Sequence, residues 1–324
     1  MRRSTDTTDV KPLFTPPVAR PFSAAALSRR DLLQTGLFAL GGALLPASAV
    51  AQQITTTDLG GAALLQGAGG NVVAMPGPEG AMMIDGGRAA NAEALVAAVA
   101  RATATMRVHT LINTHWHPEQ TGANEIVGKG GGIIFAHEKT KLAESNTIYS
   151  SATFTGRLAP LPQVARPTQT TRGDGSMQVA GQSIDYGYMP AAHTDGDLFV
   201  HIPMLNLLVA GGVVSAESWP LLDYRNGAWL GGRVRALQRL AGLVKPDTRV
   251  VPADGRVMTG AEIMRHRDMY QKLFTTMIGY LNMGLGPEDA VQRNPLKEYT
   301  AEFGDPSAFT YGALKSMMIA YVPD

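Results

Sequence analysis

The chain has 324 residues, 45% of them apolar, and a formal net charge of +1. It is long enough for one large domain or two, and apolar enough for a sizeable core. The near-neutral balance argues against a basic surface for nucleic acid. There is no cysteine, which excludes disulfides, thiolate metal ligands and a cysteine nucleophile. Residues from Met1 to about Arg20 are polar, proline-containing and aperiodic, a composition that reads as disorder.

Ser28-Arg29-Arg30-Asp31-Leu32-Leu33-Gln34 then precedes an apolar, Gly/Ala-rich run ending at Leu45, and Ala49-Val50-Ala51 supplies small residues for cleavage. A pair of arginines ahead of such a run resembles a twin-arginine export signal, with Leu32 in place of the usual Phe. The run is about 14 residues, short for a membrane-spanning helix, and an uncleaved membrane anchor is the competing reading. Cleavage before Gln52 removes six basic and three acidic residues and takes the net charge from +1 to −2. The expectation is a periplasmic or secreted protein whose precursor is a client of the twin-arginine export machinery.

From Gly60 short apolar runs alternate with turns. Ala62–Gln66, Asn71–Met75 and Ala81–Ile84 read as strands separated by Gly/Pro punctuation, the third closed by Asp85-Gly86-Gly87. Ala90–Thr103 has helical spacing, and Val108–Asn113 reads as the next strand. At its end stands Asn113-Thr114-His115-Trp116-His117-Pro118-Glu119-Gln120-Thr121-Gly122. In extended backbone alternate side chains share a side, so His115 and His117 face one metal ion while Trp116 turns away to pack. Imidazole is the commonest metal ligand and suits zinc. Glu119 falls on the same side if the extended run continues.

Thr121–Val127 predicts a short helix, Gly131–Ala136 a strand, and His137-Glu138-Lys139-Thr140 the start of another helix. Ser145 to Asp174 reads as a long loop, and strand signals resume at Met177–Val179 and Ser183–Tyr188. Ala191-Ala192-His193-Thr194-Asp195-Gly196-Asp197 precedes a strand over Leu198–Ile202. Arg233–Val244 is a helix by its apolar spacing, Arg249–Pro252 a late strand followed by Ala253-Asp254-Gly255, and Thr259–Leu281 a long helix. Pro287–Tyr299 and Ala308–Ile319 read as shorter terminal helices. His137 and His266 read as structural, and His201 as structural or surface. Periodicity alone gives a mixed α/β domain.

Thr114–Gly122 resembles the H-x-H-x-D-H signature of the metallo-β-lactamase superfamily. The resemblance runs from about Leu59 to Ile263 in the family's order. It implies a four-layer αβ/βα sandwich, with the metal cleft at one edge between two sheets. Together with the export segment and the terminal helices, this divides the chain into residues 1–51, the disordered region and signal, 52–282, the metallo-β-lactamase-like domain, and 283–324, a helical extension packed on that domain. His115 and His117 match the first two histidines of the signature. The segment around His193 resembles the family's G-H-T-x-G-D, which makes His193 the third ligand of the first metal. Asn71 and Asp85 fit the family's opening meander, Asp85 as a turn residue or as support beneath the metal loop, and Asp197 as a turn or supporting residue.

The second metal's positions are altered. Glu119 stands where the family has Asp, Gln120 where it has His, Gly212 where it has the bridging Asp, and Asp254 where it has His. The resemblance therefore implies one tightly bound Zn²⁺ on His115, His117 and His193, with a weaker second ion as an option. Glu119 and Asp254 are the catalytic candidates, to accept the proton of a zinc-bound water, to orient it, or to hold that weaker ion. The function expected is a metallo-hydrolase that attacks an ester, lactone or amide of a small-molecule substrate with metal-bound hydroxide. The alternative is a non-hydrolytic relative that holds a metal or ligand, and an iron-based redox variant ranks last.

Overall fold

The computed structural model describes residues 53–152, 154, 156–179 and 181–321; the expected export segment lies outside them. Seven strands form one sheet in chain order: β1 (Thr55–Asp58), β2 (Ala63–Gln66), β3 (Val72–Met75), β4 (Ala81–Ile84), β5 (Val108–Ile112), β6 (Ile133–His137) and β7 (Gln169–Thr171). The first four form an antiparallel meander, and β4 through β7 pair in parallel. A six-stranded sheet follows, built from β8 (Gly175–Val179), β9 (Gln182–Met189), β10 (Asp197–Ile202), β11 (Leu207–Gly211), β12 (Arg249–Pro252) and β13 (Met258–Thr259), again ordered as in the chain.

The period of two along each strand sorts the side chains into layers. Leu64, Val73, Met82, Ile84 and Ile112 of the first sheet meet Leu198, Val200, Leu207, Val209 and Val251 of the second in one buried cluster between the sheets. Their sequence neighbours Leu65, Val72, Met83 and Leu111 face the other way. There they pack under Leu95 and Val99 of α1 (Ala92–Thr103) and, beyond α2 (Pro118–Thr121), Val127 of α3 (Asn124–Lys129). After α4 (Glu138–Ser145), the remaining large helices cover the second sheet. Leu208 and Val250 pack there against Leu237 and Leu240 of α5 (Leu230–Leu243) and Leu273 of α6 (Gly260–Asn282). Ala290 of α7 (Pro287–Arg293), Phe303 of α8 (Thr300–Phe303) and Leu314 of α9 (Ser307–Tyr321) join the same cluster. The result is the expected four layers, helix, sheet, sheet, helix. Each fully buried Leu or Ile contributes ~1.5–3 kcal/mol to it. Among the described residues no helix is long and apolar enough to cross a membrane.

Element boundaries follow local chemistry. Thr259 accepts from the backbone N of Glu262 while the Glu262 carboxylate accepts from the Thr259 N at 2.8 Å, a reciprocal cap that starts α6. The single helix expected over Thr121–Val127 is two short ones, α2 and α3. Gly122 lies so close to the preceding loop that a Cβ there would sit 2.2 Å from the Ala89 N. Its own N donates to Gly87 O at 2.8 Å, and Ala123 N donates to Gly86 O at 3.0 Å, so the helical ladder is interrupted. The stretch expected as a long loop also holds β7, which pairs Gln169 with Phe135 at the sheet edge.

Candidate metal centre

The C-terminal ends of β5, β11 and β12 and the segment leading into β10 meet at one edge of the sandwich. Leu198 N donates to Thr114 O at 2.7 Å, joining the two sheets there. Gly86 N donates to Gln120 O at 2.6 Å, and Asn71 N to Ala253 O at 2.7 Å. Asn71 also donates its side chain to Pro252 O and Gly255 O, each at 3.0 Å. The loops are therefore held by backbone polar groups that the strand ends leave unpaired.

His115, His117 and His193 come together here. They are buried, and among the described residues they are the group of potential ligands whose donor atoms all lie within 4.8 Å of one another. Their ring centroids are 4.8, 4.6 and 4.8 Å apart and their planes nearly perpendicular, at 84°, 87° and 83°. Each ring is oriented by a bond from its outward nitrogen. The Thr114 hydroxyl donates to Asp85 Oδ2 at 2.8 Å, so its oxygen accepts from His115 Nδ1 at 3.0 Å. Asp85 Oδ1 takes Thr114 N at 2.8 Å, and Asp85 holds φ at 64° to do so. His117 donates Nε2 to Asp223 Oδ2 at 3.2 Å, and His193 donates Nδ1 to Leu221 O at 2.8 Å.

These tautomers follow from the bonding network and leave three inward lone pairs. His193 Nε2 and His117 Nδ1 lie 3.0 Å apart, each with its ring's proton committed elsewhere. Two acceptors at that distance repel unless a positive charge lies between them. Burial, and then His193 and His117, push His115 well below the usual imidazole range; burial, then His117 and Arg233, do the same for His193. Neutral imidazoles with converging lone pairs are what a metal ion requires, and the donor set fits one.

Deeper partners hold the three histidines in place. Asp223 is fully buried. Beyond His117 it accepts from Ser151 Oγ at 2.8 Å, Asn226 Nδ2 at 2.9 Å and Ala152 N at 3.0 Å. Burial raises its pKa, but the bonds from His117, Ala152 and Ser151 outweigh that and hold it below the usual carboxylate value. Asp197 accepts from His193 N at 2.6 Å and from the Thr194 N and hydroxyl, fixing the turn that carries His193; burial lifts it to about 6. Arg233 of α5 is fully buried and donates to Leu221 O, the same carbonyl that orients His193, and to Pro220 O at 3.0 Å.

A cavity of about 130 Å³ opens beside His115 and His193, with Glu119, Gln120, Trp219, Leu221 and Asp254 on its walls. Neither Glu119 nor Asp254 joins the histidine group; both line the space in front of it. Asp254 is raised by burial and then by the negative charges of Glu119 and Glu217. Gln120 is fully buried, and neither atom of its amide has a hydrogen-bond partner. At Gly212 a Cβ would lie 2.2 Å from His193 Cδ2 and 2.4 Å from its Nε2, so His193 occupies the space that an aspartate there would need.

The other histidines lie elsewhere. His137 caps α4 by accepting from Lys139 N at 3.2 Å and stacks on Tyr188 at 3.8 Å. His266 is buried on α6 against Phe303, and His201 is half-buried in β10.

Residues 65–266 match the metallo-beta-lactamase superfamily. Among solved structures the chain is similar to a metallo-beta-lactamase from Pontibacter korlensis, at 21% identity and a TM-score of 0.51, covering 67% of this chain and 93% of that one. It is also similar to the DIM-1 metallo-beta-lactamase, at 16% identity and a TM-score of 0.54, covering 68% and 97%. A double mutant of the sec-alkyl sulfatase PisA1 aligns at 14% identity and a TM-score of 0.58, covering 82% of this chain and 50% of that one. At such identities the likeness is one of fold. No curated protein matches significantly.

Proposed function

Since this chain belongs to the metallo-β-lactamase superfamily, we propose that it is a zinc-dependent hydrolase of small esters, lactones or amides, working with one tightly held ion. The observation that carries this reading is the trio of inward lone pairs on His115, His117 and His193 at the wall of an open cavity. Three neutral imidazoles suit zinc and leave a position for water or substrate. A zinc ion bound there supplies Lewis acidity, lowering the pKa of water toward ~7 and polarising a carbonyl oxygen.

The chain's own groups divide the remaining work. The Glu119 carboxylate accepts the proton of the attacking water, and Asp254, whose pKa is raised by burial and by the charges of Glu119 and Glu217, stands beside it to share that proton. The Gln120 amide offers a donor to the oxygen that gains charge. Trp219 and Leu221 supply apolar contact for the substrate body. The crowding of His193 against Gly212 supports the single ion, because a bridging carboxylate and the third ligand compete for one space. Arg29-Arg30 before the apolar run supports export to the periplasm.

A second reading, a relative that holds a metal or ligand without turnover, is favoured by the loss of ligands at Gln120 and Gly212. Metal content of the chain from Gln52 onward, purified without added metal, and a panel of esters, lactones and amides separate the two. One zinc per chain and turnover of at least one class is the expected result. A loaded protein that turns over none of them supports the second reading, and two zinc ions that survive mild chelation overturn the single-ion centre.

A further inference from the structure

A second cavity, of about 430 Å³, lies behind the metal loop, within the range of small-molecule pockets. Glu119 and Pro118 are on its wall, and so is Trp116, the residue between the two ligands of the H-x-H pair. The Trp116 ring packs 4.4 Å from that of His117, so the indole separates this cavity from the centre. Phe154, Leu158 and Leu161 make the rest mostly apolar.

Two polar groups on that apolar wall have no partner. Glu144 is 4% exposed and neither carboxyl oxygen meets a hydrogen-bond partner; Trp116 is 2% exposed and its Nε1 is likewise alone. Arg166 attracts the carboxyl but is tied to Leu161 O at 2.8 Å and forms no ion pair with it. Leaving a buried polar group unpaired is costly, and such groups almost always have partners. Burial raises Glu144 to about 8, so at neutral pH it is a neutral acid whose O–H is a donor. The indole N–H is a donor only. The ionised carboxylates of the lining stand beside cations. Glu125 pairs with Lys129 at 2.6 Å, and Arg88 stands with Glu119 on the wall.

We infer that this cavity is a binding site for an uncharged, largely apolar molecule whose carbonyl-type oxygen, once the wall side chains turn toward it, accepts from Trp116 Nε1 and from the Glu144 carboxyl, both closed off from the cavity in this structure. The site shares the Glu119 wall with the metal cavity but is otherwise lined by different residues, and its binding does not depend on hydrolysis at the centre.

The test is calorimetric titration of the metal-loaded protein with four probes of one shape: acetophenone, its hydrocarbon analogue 2-phenylpropene, 1-phenylethylammonium and benzoate. Acetophenone should bind at least tenfold tighter than each of the others, the equivalent of ~1.4 kcal/mol. Glu144→Gln keeps a donor and should retain that preference, whereas Glu144→Leu should lose it. Enlarging the wall with Leu161→Trp, or at the exposed Ala159 with Ala159→Trp, should abolish binding while circular dichroism and metal content stay unchanged. Equal binding of the hydrocarbon, tighter binding of the ammonium, loss of preference in Glu144→Gln, or undiminished binding in a correctly folded Ala159→Trp protein would each overturn the assignment.

Discussion

Replacing Asp223 by Asn exchanges one carboxylate oxygen for an NH₂ group at nearly constant volume. In the native protein Oδ2 accepts from His117 Nε2, Ser151 Oγ and Asn226 Nδ2 at 3.2, 2.8 and 2.9 Å, and Oδ1 accepts from Ala152 N at 3.0 Å. All four partners are donors, and an amide accepts on one side only. With its oxygen in the Oδ2 place it sets NH₂ against Ala152 N–H; turned over, it opposes the other three. The first orientation wins and leaves one buried donor unpaired, which costs ~1–3 kcal/mol of stability. His117 then donates to a neutral oxygen, a bond about half as strong as one to a carboxylate. Loss of such a partner lowers metal affinity by about 10–100-fold. Competition with a chromophoric chelator would measure that loss, and urea unfolding the stability. Asp223→Ala, which strips all four donors, should be worse in both. A zinc affinity within twofold of wild type in Asp223→Asn, with stability alone reduced, would refute the claim that Asp223 orients the ligand.

His115→Ala, His117→Ala and His193→Ala should each lose tightly bound zinc, while His137→Ala, His201→Ala and His266→Ala keep it, as read by elemental analysis. Glu119→Gln should lower turnover by ~10²-fold or more with metal content unchanged, the range of general-base work; equal rates would remove Glu119 from the chemistry. Burial raises Glu144 from 4.5 to about 8. Between those values the unfolded chain has released a proton that the folded chain keeps, so stability falls as pH rises, by up to ~1.4 kcal/mol per unit. Glu144→Gln should flatten that slope in urea midpoints across the window, and parallel curves would contradict the burial argument. Replacing Arg29 and Arg30 by Lys should leave uncleaved precursor in the cytoplasm, visible by fractionation; normal trimming would exclude the twin-arginine route.

The sequence made the strands of the sandwich legible wherever apolar runs were bounded by Gly, Pro or Asp, and Ala81–Ile84 and Arg249–Pro252 fall where their residues place them. It missed β1, a run of exposed threonines ending in Asp58, and the edge strand β7, because neither alternates an apolar face with a polar one. His115, His117 and His193 could be assembled because a period of two and a family motif point at them. Nothing in the sequence tied Asp223 to the histidines. Its bond to His117 spans 106 positions, and nothing local distinguishes it from a turn aspartate. Glu144 was hidden for the opposite reason. It sits in a polar stretch of α4 that reads as a solvated helix, and only the tertiary structure shows it buried, with Leu161 N donating to its backbone O at 2.8 Å.

The carbonyl of Leu221 joins two things that are usually considered apart. It fixes the His193 ring, and it is itself held by Arg233, a fully buried side chain on the helix that packs against α6 and α9. Loosening of that outer helical layer therefore releases the third ligand, and capture of an ion at His193 braces the layer in return. Heat and chelator then act on one shared equilibrium. On the proposed single-zinc reading, the apparent melting temperature is a function of free zinc, with ~2.7 kcal/mol gained when zinc stands a hundredfold above its dissociation constant.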